Sequence, residues 1–369
     1  MTDTTARDSF WMQRCLSLAR QGLGKTAPNP LVGSVIIQDD QVVGEGFHPR
    51  AGEPHAEIFA LRQAGDHAWR ASLYVNLEPC NHYGRTPPCT EAIIQAGISR
   101  VVVGMIDPNP LVAGKGIERL RQAGLSVTVG VESSQCQRLN EAFCHRIQHH
   151  RPWGILKYAM TLDGKIATTT GHSTWVTGEP ARRWVHQTRS YCQAVIVGGN
   201  TVRRDNPRLT CHGVAEPNPL RVVLSRSLDL PRQANLWNVS QAPTLVCTQA
   251  GNSPEIQACL RDQGVEIVEL DALTPDRVMA LLYERDCLQV LWECGGQLAA
   301  PALATGAIQK LMAFIAPKII GGTQAPTPVG DLGLTLMTEA LPLRDLSYQT
   351  LGEDLLIEAY LPAKPGPNG

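Results

Sequence analysis

Three short runs hold the residues best suited to chemistry: Pro54-His55-Ala56-Glu57, Glu78-Pro79-Cys80 and Pro87-Pro88-Cys89. One imidazole and two thiolates are a donor set that suits zinc. Three protein ligands leave the fourth tetrahedral position for water, the arrangement of a catalytic rather than a closed structural site. His55, Cys80 and Cys89 are therefore the expected metal ligands. Glu57 stands two residues past His55, at the start of an expected helix. From there it lies beside the ion without ligating it, and can carry a proton from the activated water to a leaving amine. Cys80 and Cys89 flank the N-terminal end of a second expected helix, whose unpaired amides and dipole favour ionised thiols.

The pairing of His-x-Glu with Pro-Cys is the signature of zinc nucleobase deaminases, in which hydroxide attacks the carbon that bears an exocyclic amine. That signature usually ends in Pro-Cys-x-x-Cys, whereas eight residues separate the two cysteines here. The intervening loop, from Asn81 to Pro88, brings His82 and Arg85 to the metal's edge as candidate phosphate contacts. Two blander readings stand beside this one: a structural zinc site with His82 as fourth ligand, or unrelated buried groups. Neither gives Glu57 a role. Asn29, fixed between two prolines, is placed to aim its amide at a ring edge, with a plain turn residue as the alternative. Asn109 in Asp107-Pro108-Asn109-Pro110 has the same two readings, and His48 reads as a pocket wall or a packing residue.

In the second half no Gly-x-Gly-x-x-Gly follows a strand, so the ordinary dinucleotide fingerprint is absent. Two glycine pairs do follow expected strands: Gly198-Gly199-Asn200-Thr201 after Val195-Ile196-Val197, and Cys294-Gly295-Gly296-Gln297 after Leu291-Trp292-Glu293. Such a pair ahead of a helix lets a diphosphate approach backbone amides, although many such turns are only tight connections.

The elements that must position these residues follow from periodicity. An amphipathic helix is expected from Phe10 to Ala19, then a hairpin, Leu31 to Gln38 and Gln41 to Phe47, turning on Asp39-Asp40. Helix and strand then alternate: helix His55 to Ala64, strand Ser72 to Leu77, helix Thr90 to Ala96, strand Arg100 to Gly104, helix Gly116 to Ala123, strand Leu125 to Val131. A single helical stretch, Glu132 to His150, leads to Arg151-Pro152, where the domain boundary falls. The second half begins with strand Trp153 to Met160 and helix Pro180 to Tyr191, continues in the same alternation, and ends on two antiparallel-looking strands, Ser347 to Gly352 and Asp354 to Leu361. This is the pattern of α/β domains with partly parallel sheets.

Composition agrees. At about 150 residues per domain, 369 residues make two domains. With 43% hydrophobic and 18% charged residues, the chain is no disordered or fibrous protein. Lys and Arg total 33 against 34 Asp and Glu, so no global field draws nucleic acid or an anionic membrane. Eleven cysteines without tight, even spacing point to a reducing cytoplasm. No secretory signal and no transmembrane run is expected.

Taken together, these motifs resemble the bifunctional riboflavin-biosynthesis deaminase-reductases. The match runs through Thr26 to Gly33, His55-Ala56-Glu57, Glu78-Pro79-Cys80 to Cys89 with its Gly-Arg-Thr-Pro-Pro, Asp107 to Pro110, Thr161 to Lys165, Ser173 to Thr177, Thr201 to Pro207 and Trp292 to Gly296. The eight-residue cysteine spacing is itself distinctive of that family. The resemblance implies a cytidine-deaminase-like α/β/α domain over 1–150 that removes an amine from 2,5-diamino-6-ribosylamino-4(3H)-pyrimidinone 5′-phosphate. It implies a dihydrofolate-reductase-like α/β domain over 151–369 that reduces the ribosyl group to ribityl with NADPH. His55, Cys80 and Cys89 then bind zinc and Glu57 is the proton donor. Ala159, Trp175, Thr201, Asp205, Gly295 and Gly296 fall where the family holds the cofactor, and Ser173, Arg189, Leu209 and Glu293 where it holds the substrate. His212 stands where the family commonly has Arg, with Arg208 as the candidate to compensate. Asp205 and Glu293 are the candidate acids of the reduction, while Lys157, Asp163 and Lys165 read as structural charge. Arg203 or Arg204 is the candidate for the 2′-phosphate. A cytoplasmic homo-oligomer acting on a small phosphorylated pyrimidine, with no nucleic-acid or membrane partner, is the expectation. The rivals are an RNA base-editing zinc deaminase with a C-terminal targeting domain, which needs a basic, aromatic-studded face, and a scaffold with a structural zinc.

Overall fold

The alternating apolar runs form two sheets, one in each half of the chain. The structure, a computed structural model, describes residues 3–83, 87–110 and 112–362. The chain divides into two compact units, Met1–His150 and Arg151–Gly369. Among the described residues, no helix is long and apolar enough to cross a membrane.

The first unit runs α1 (Asp3–Ala19), β1 (Gly33–Gln38), β2 (Gln41–Phe47), α2 (Ala56–Ala64), β3 (Ser72–Leu77), α3 (Cys89–Gln95), β4 (Arg100–Met105), α4 (Lys115–Gln122), β5 (Ser126–Val129), α5 (Ser133–Leu139) and α6 (Glu141–His149). Its sheet has the order β2-β1-β3-β4-β5; β1 is antiparallel to both neighbours and β3, β4 and β5 are parallel. The hairpin turns on Asp39 and Asp40 with φ of 50° and 61°. Two consecutive positive φ values match the right-handed twist of the strands they join. Alternate strand residues split between two faces. Ile36, Leu73, Val75, Val101 and Val103 pack with Ala60 of α2, Ile93 of α3 and Leu120 of α4, while α1 and α5 pack against the sheet from their own residues.

Two elements differ from the sequence expectation here. Helix α1 starts seven residues before Phe10 because Asp8 anchors it: the Tyr74 hydroxyl (2.9 Å) and Arg100 (2.9 and 2.6 Å) donate to its carboxylate. The stretch 132–150 is two helices rather than one. Asn140, at the break, gives its side chain to the hairpin entry, accepting from Leu31 N (2.8 Å) and donating to Leu31 O (3.0 Å).

The second unit runs β6 (Trp153–Thr161), α7 (Glu179–Tyr191), β7 (Ala194–Gly198), α8 (Gly199–Asp205), β8 (Leu220–Leu224), β9 (Thr244–Gln249), α9 (Pro254–Asp262), β10 (Glu266–Leu270), α10 (Pro275–Glu284), β11 (Gln289–Trp292), α11 (Gly296–Ala304), β12 (Lys310–Ala316), β13 (Arg344–Leu351) and β14 (Asp354–Tyr360). The sheet order is β10-β9-β8-β7-β11-β6-β12-β14-β13, parallel from β10 to β12 and antiparallel at β14 and β13. Val195, Val197 and Val223 pack with Val185 of α7 and Leu260 of α9. Ile196, Val222 and Trp292 pack with Val278 and Leu282 of α10 and with Ala299 and Leu303 of α11. Helices therefore cover both faces. The first glycine pair is no plain turn: Gly199 opens the short helix α8, which Asn206 ends at φ 40°. The chain returns from β10 to insert β11 between β7 and β6. Such reversals of strand order open a crevice at the carboxyl ends of the strands.

Candidate functional site

Each unit gathers one set of the expected residues. In the first, His55 is the N-cap of α2 in extended conformation, and its side chain makes no cap bond. Cys89 is the first residue of α3, and its amide donates to Cys80 Sγ at 3.4 Å. His55 Nδ1 lies 3.3 Å from Cys89 Sγ and 3.5 Å from Cys80 Sγ, and the three donor atoms lie within 4.8 Å of one another. Zinc bonded tetrahedrally to nitrogen at about 2.0 Å and to sulfur at about 2.3 Å sets its ligand atoms roughly 3.5–3.8 Å apart. The donor set fits that ion. His82 is no member of the group, so among the described residues the site has three protein ligands, as a catalytic zinc site requires, and the structural-zinc alternative lacks its fourth. Arg85 lies outside the described residues.

Electrostatics sharpen the fit. The Cys89 thiol bonded to Cys80 brings that sulfur down to about 4 against the effect of burial, with help from His55. The bond to Cys80 lifts His55 to about 9, and the bond to Cys80 together with burial pushes Cys89 well up. These groups share protons that a bound metal ion displaces. Burial pushes the Glu57 carboxyl up as well. Glu57 is 3% exposed, and its Oε2 is buried with no hydrogen-bond partner among the described residues. A buried carboxyl oxygen left unbonded is costly and calls for a ligand or water.

Asn29 joins this site through His48. Its Nδ2 donates to His48 Nε2 at 3.0 Å, while His48 Nδ1 donates to Pro54 O at 3.1 Å. The His48 ring stands nearly perpendicular to His55, centroids 5.6 Å apart. Burial holds His48 toward its neutral form. The loop that carries Asn29 is pinned by Asn140 and by Asn76, which donates to Leu31 O at 2.9 Å and accepts from Gly33 N at 2.7 Å. Asp107 Oδ1 accepts from Asn109 N at 2.8 Å, and burial pushes this carboxyl up to about 6.

In the second unit a cavity of about 1330 Å³ is lined by Ala159, Ser173, Trp175, Arg189, Thr201, Asp205, Leu209, Glu293, Gly295 and Gly296. All ten residues that the resemblance assigns to cofactor or substrate in this half meet there. Glu293 is held by Arg189 in a two-pronged pair, Nε to Oε1 at 2.6 Å and Nη2 to Oε2 at 3.1 Å. Lys157 Nζ adds a third contact at 3.6 Å. Burial works against the carboxylate's charge, but Arg189 and Lys157 outweigh it and bring Glu293 to about 2. Burial, with Arg189 opposing a second cation, draws Lys157 down. Asp205, by contrast, is exposed as a residue, but its carboxyl end is turned partly out of solvent, which pushes it up, and it accepts from Ser173 Oγ at 3.5 Å.

The loop bearing Trp175 is clamped. Lys318 donates to the carbonyls of Trp175 and Val176 at 3.0 and 2.9 Å, and Arg182 both donates to Thr177 O at 2.8 Å and sits 4.5 Å over the indole. Beside Gly295 a Cβ would meet open space, so a ligand can reach that backbone; at Gly296 it would come within 2.8 Å of Gly330 N. Together with the N-terminus of α11, this makes a cradle suited to a diphosphate. Arg203 and Arg204 line the cavity too, Arg203 paired with Asp229 at 3.1 Å. The expectation for Lys157 needs correction, since it points at Glu293 inside the cavity. His186 was not foreseen: it stacks on His212 at 4.3 Å. Asp163 accepts from Gly321 N at 2.8 Å.

The fold and the two sites define a zinc-dependent deaminase unit followed by a nicotinamide-dependent reductase unit. Residues 5–105 match the cytidine and deoxycytidylate deaminase zinc-binding region, and residues 152–357 match the RibD C-terminal domain. The riboflavin biosynthesis protein RibD of Synechocystis is 67% identical over 96% of this chain and 96% of that protein. A solved structure of Acinetobacter baumannii RibD aligns with a TM-score of 0.86 at 38% identity, covering 97% of this chain and 100% of that one. A Thermotoga maritima structure, described as a diaminohydroxyphosphoribosylaminopyrimidine deaminase/5-amino-6-(5-phosphoribosylamino)uracil reductase, aligns at 0.86 and 35% identity over 97% of this chain and 99% of that one. The chain belongs to the RibD family of bifunctional riboflavin-biosynthesis deaminase-reductases. It is a hydrolase and an oxidoreductase, with zinc and NADPH as cofactors, and its units have the cytidine-deaminase-like and RibD-reductase folds. The RNA-editing alternative has no support, because the second half matches a reductase and not a targeting module.

Proposed function

We propose that residues 1–150 deaminate 2,5-diamino-6-ribosylamino-4(3H)-pyrimidinone 5′-phosphate, and that residues 151–369 then reduce its ribosyl group to give 5-amino-6-ribitylaminouracil 5′-phosphate. The observation that carries this reading is the unbonded, buried Oε2 of Glu57 beside the trio His55, Cys80 and Cys89. A zinc ion held by that trio supplies the Lewis acidity that makes water nucleophilic near neutral pH. Glu57 takes the proton from the attacking water and hands it to the departing amine; its raised affinity for protons suits both tasks. Asn29, oriented by His48, faces the ring edge. The Thermotoga relative's description names the same two reactions on phosphoribosylamino-pyrimidines.

For the reduction, NADPH supplies the hydride. Ala159, Trp175, Thr201, Asp205, Gly295 and Gly296 hold it, with Arg203 or Arg204 on its 2′-phosphate, while Ser173, Arg189, Leu209 and Glu293 hold the substrate. Glu293, kept ionised by Arg189, is an acceptor for sugar hydroxyls and not the acid; Asp205, whose carboxyl is pushed up, is the better candidate.

We further propose a cytoplasmic homo-oligomer without a nucleic-acid partner. None of the eleven cysteines is in a disulfide, and the net charge is −1. Edge strand β13 and the segment before it expose Ile319, Leu336, Met337, Leu346 and Tyr348. Large apolar side chains left exposed on an edge strand and the segment before it suit a second copy of the chain. The test of the two-step reading supplies the purified protein with the diamino-ribosylamino-pyrimidinone phosphate and NADPH. Ammonia release followed by NADPH oxidation is expected; ammonia without oxidation overturns the second step.

A further inference from the structure

Two residues before Cys80, Glu78 is 3% exposed and, among the described residues, meets no cation. Its carboxylate instead collects four backbone amides: Gly116 N (2.9 Å) and Ile117 N (3.2 Å) on Oε1, Gly114 N (2.9 Å) and Asp107 N (3.2 Å) on Oε2. Gly114 is the N-cap of α4, and Gly116 and Ile117 lie in its first turn, so Glu78 caps that helix from another part of the chain. Charge-assisted bonds of this kind are roughly twice as strong as neutral ones. The helix dipole adds to the attraction. The contact continues along the backbone. A Cβ on Gly116 would lie 2.1 Å from Pro79 O, so α4 abuts the peptide that joins Glu78 to Cys80. Beyond Cys80, Asn81 Nδ2 reaches Lys115 O at 3.4 Å.

We propose that Glu78 is a positioning residue for the metal site: by tying its own strand end to α4 and to the Asp107 turn, it fixes where Cys80 presents its sulfur. This rests on the assignment of Cys80 as a zinc ligand. Outer groups that orient a ligand typically change metal affinity by about 10- to 100-fold when lost. Glutamine keeps the size of Glu78 but replaces one acceptor oxygen with a donor that faces two N–H groups.

The experiment has two arms. In the wild-type chain, amide hydrogen exchange is followed with and without zinc. Because coupling is reciprocal, zinc is expected to slow exchange at Gly114, Gly116 and Ile117. Unchanged exchange at those amides, with zinc bound, overturns the proposal. In Glu78→Gln, zinc affinity is measured by chelator competition alongside the melting of the zinc-free protein, with an expected affinity loss of about 10- to 100-fold and reduction of pre-deaminated substrate unaltered. A variant that melts lower yet binds zinc as the wild type does shows a merely structural role and overturns the proposal. If the wild type itself binds no zinc, the ligand assignment has failed instead.

Discussion

The two sites are built on opposite plans. In the first unit the ligands lie within 35 positions of one another, from His55 to Cys89, and converge within 4.8 Å. Their protons are crowded, and among the described residues one buried carboxyl oxygen of Glu57 has no partner. In the second unit the lining residues run from Ala159 to Gly296 around about 1330 Å³, and the central charges are already paired within the protein. A site that works through one ion and one proton carrier fails when either is lost. A site that works by orientation spreads its dependence over many contacts.

The sharpest way to break that contrast is Glu57→Gln. Deamination is expected to fall by about 10²- to 10⁴-fold, the range of a general acid–base group, with zinc content and reduction of pre-deaminated substrate unchanged. Normal ammonia release by this variant removes the first site's dependence on one carrier. Next in size is Arg189→Met, which leaves Glu293 buried without its main partner. Breaking such a pair costs about 3–5 kcal/mol. The melting transition of the second unit is expected to drop and reduction to be lost, while zinc binding and deamination persist. A loss of both activities would show that the sites are not independent.

How much of this was legible in the sequence follows from the same contrast. Metal ligands must be particular residue types, so His55, Cys80, Cys89 and Glu57 stood out in the chain alone. The strands and most helices were legible because burial imposes a period. Where the reason for a local feature lies far along the chain, the sequence was silent. The helix break at Asn140 exists for Leu31, 109 positions away. The amides that Glu78 binds are 29 to 39 positions downstream. Lys157 read as plain charge because nothing near it in sequence announces Glu293.

A third, smaller effect separates the units by pH. Glu293 titrates near 2 when folded, against an ordinary 4.5, so its contribution is fully present above 4.5 and fades as pH falls toward 2. The shift corresponds to an order of 3 kcal/mol. Acid titration of the zinc-free protein, followed by a probe in each unit, is expected to show the second unit losing stability across that window. In Glu293→Gln the loss across that window should shrink to what the other lowered carboxylates of the unit, such as Glu266, contribute. If it persists undiminished, other carboxylates govern the acid limit.

The smallest expected effect is a gain. His212 lines the reductase cavity with Arg208, and its ring stacks on His186 at 4.3 Å. Burial, Arg189 and Arg208 all push His212 toward its neutral form, so near neutral pH it brings no charge to a phosphate. Arginine is always charged and offers a planar fork that matches phosphate oxygens. His212→Arg is therefore expected to lower KM for the phosphorylated substrate of the reduction by roughly two- to fivefold, the scale of one partly exposed charge contact, with kcat and deamination unchanged. The dephosphorylated substrate should show no difference between the two proteins. A KM that ignores both the substitution and the phosphate would place the phosphate away from His212, leaving Arg208 as the group to test. A gain confined to the phosphorylated substrate would mark the second site as tunable one contact at a time, which the first site, resting on a single ion, is not.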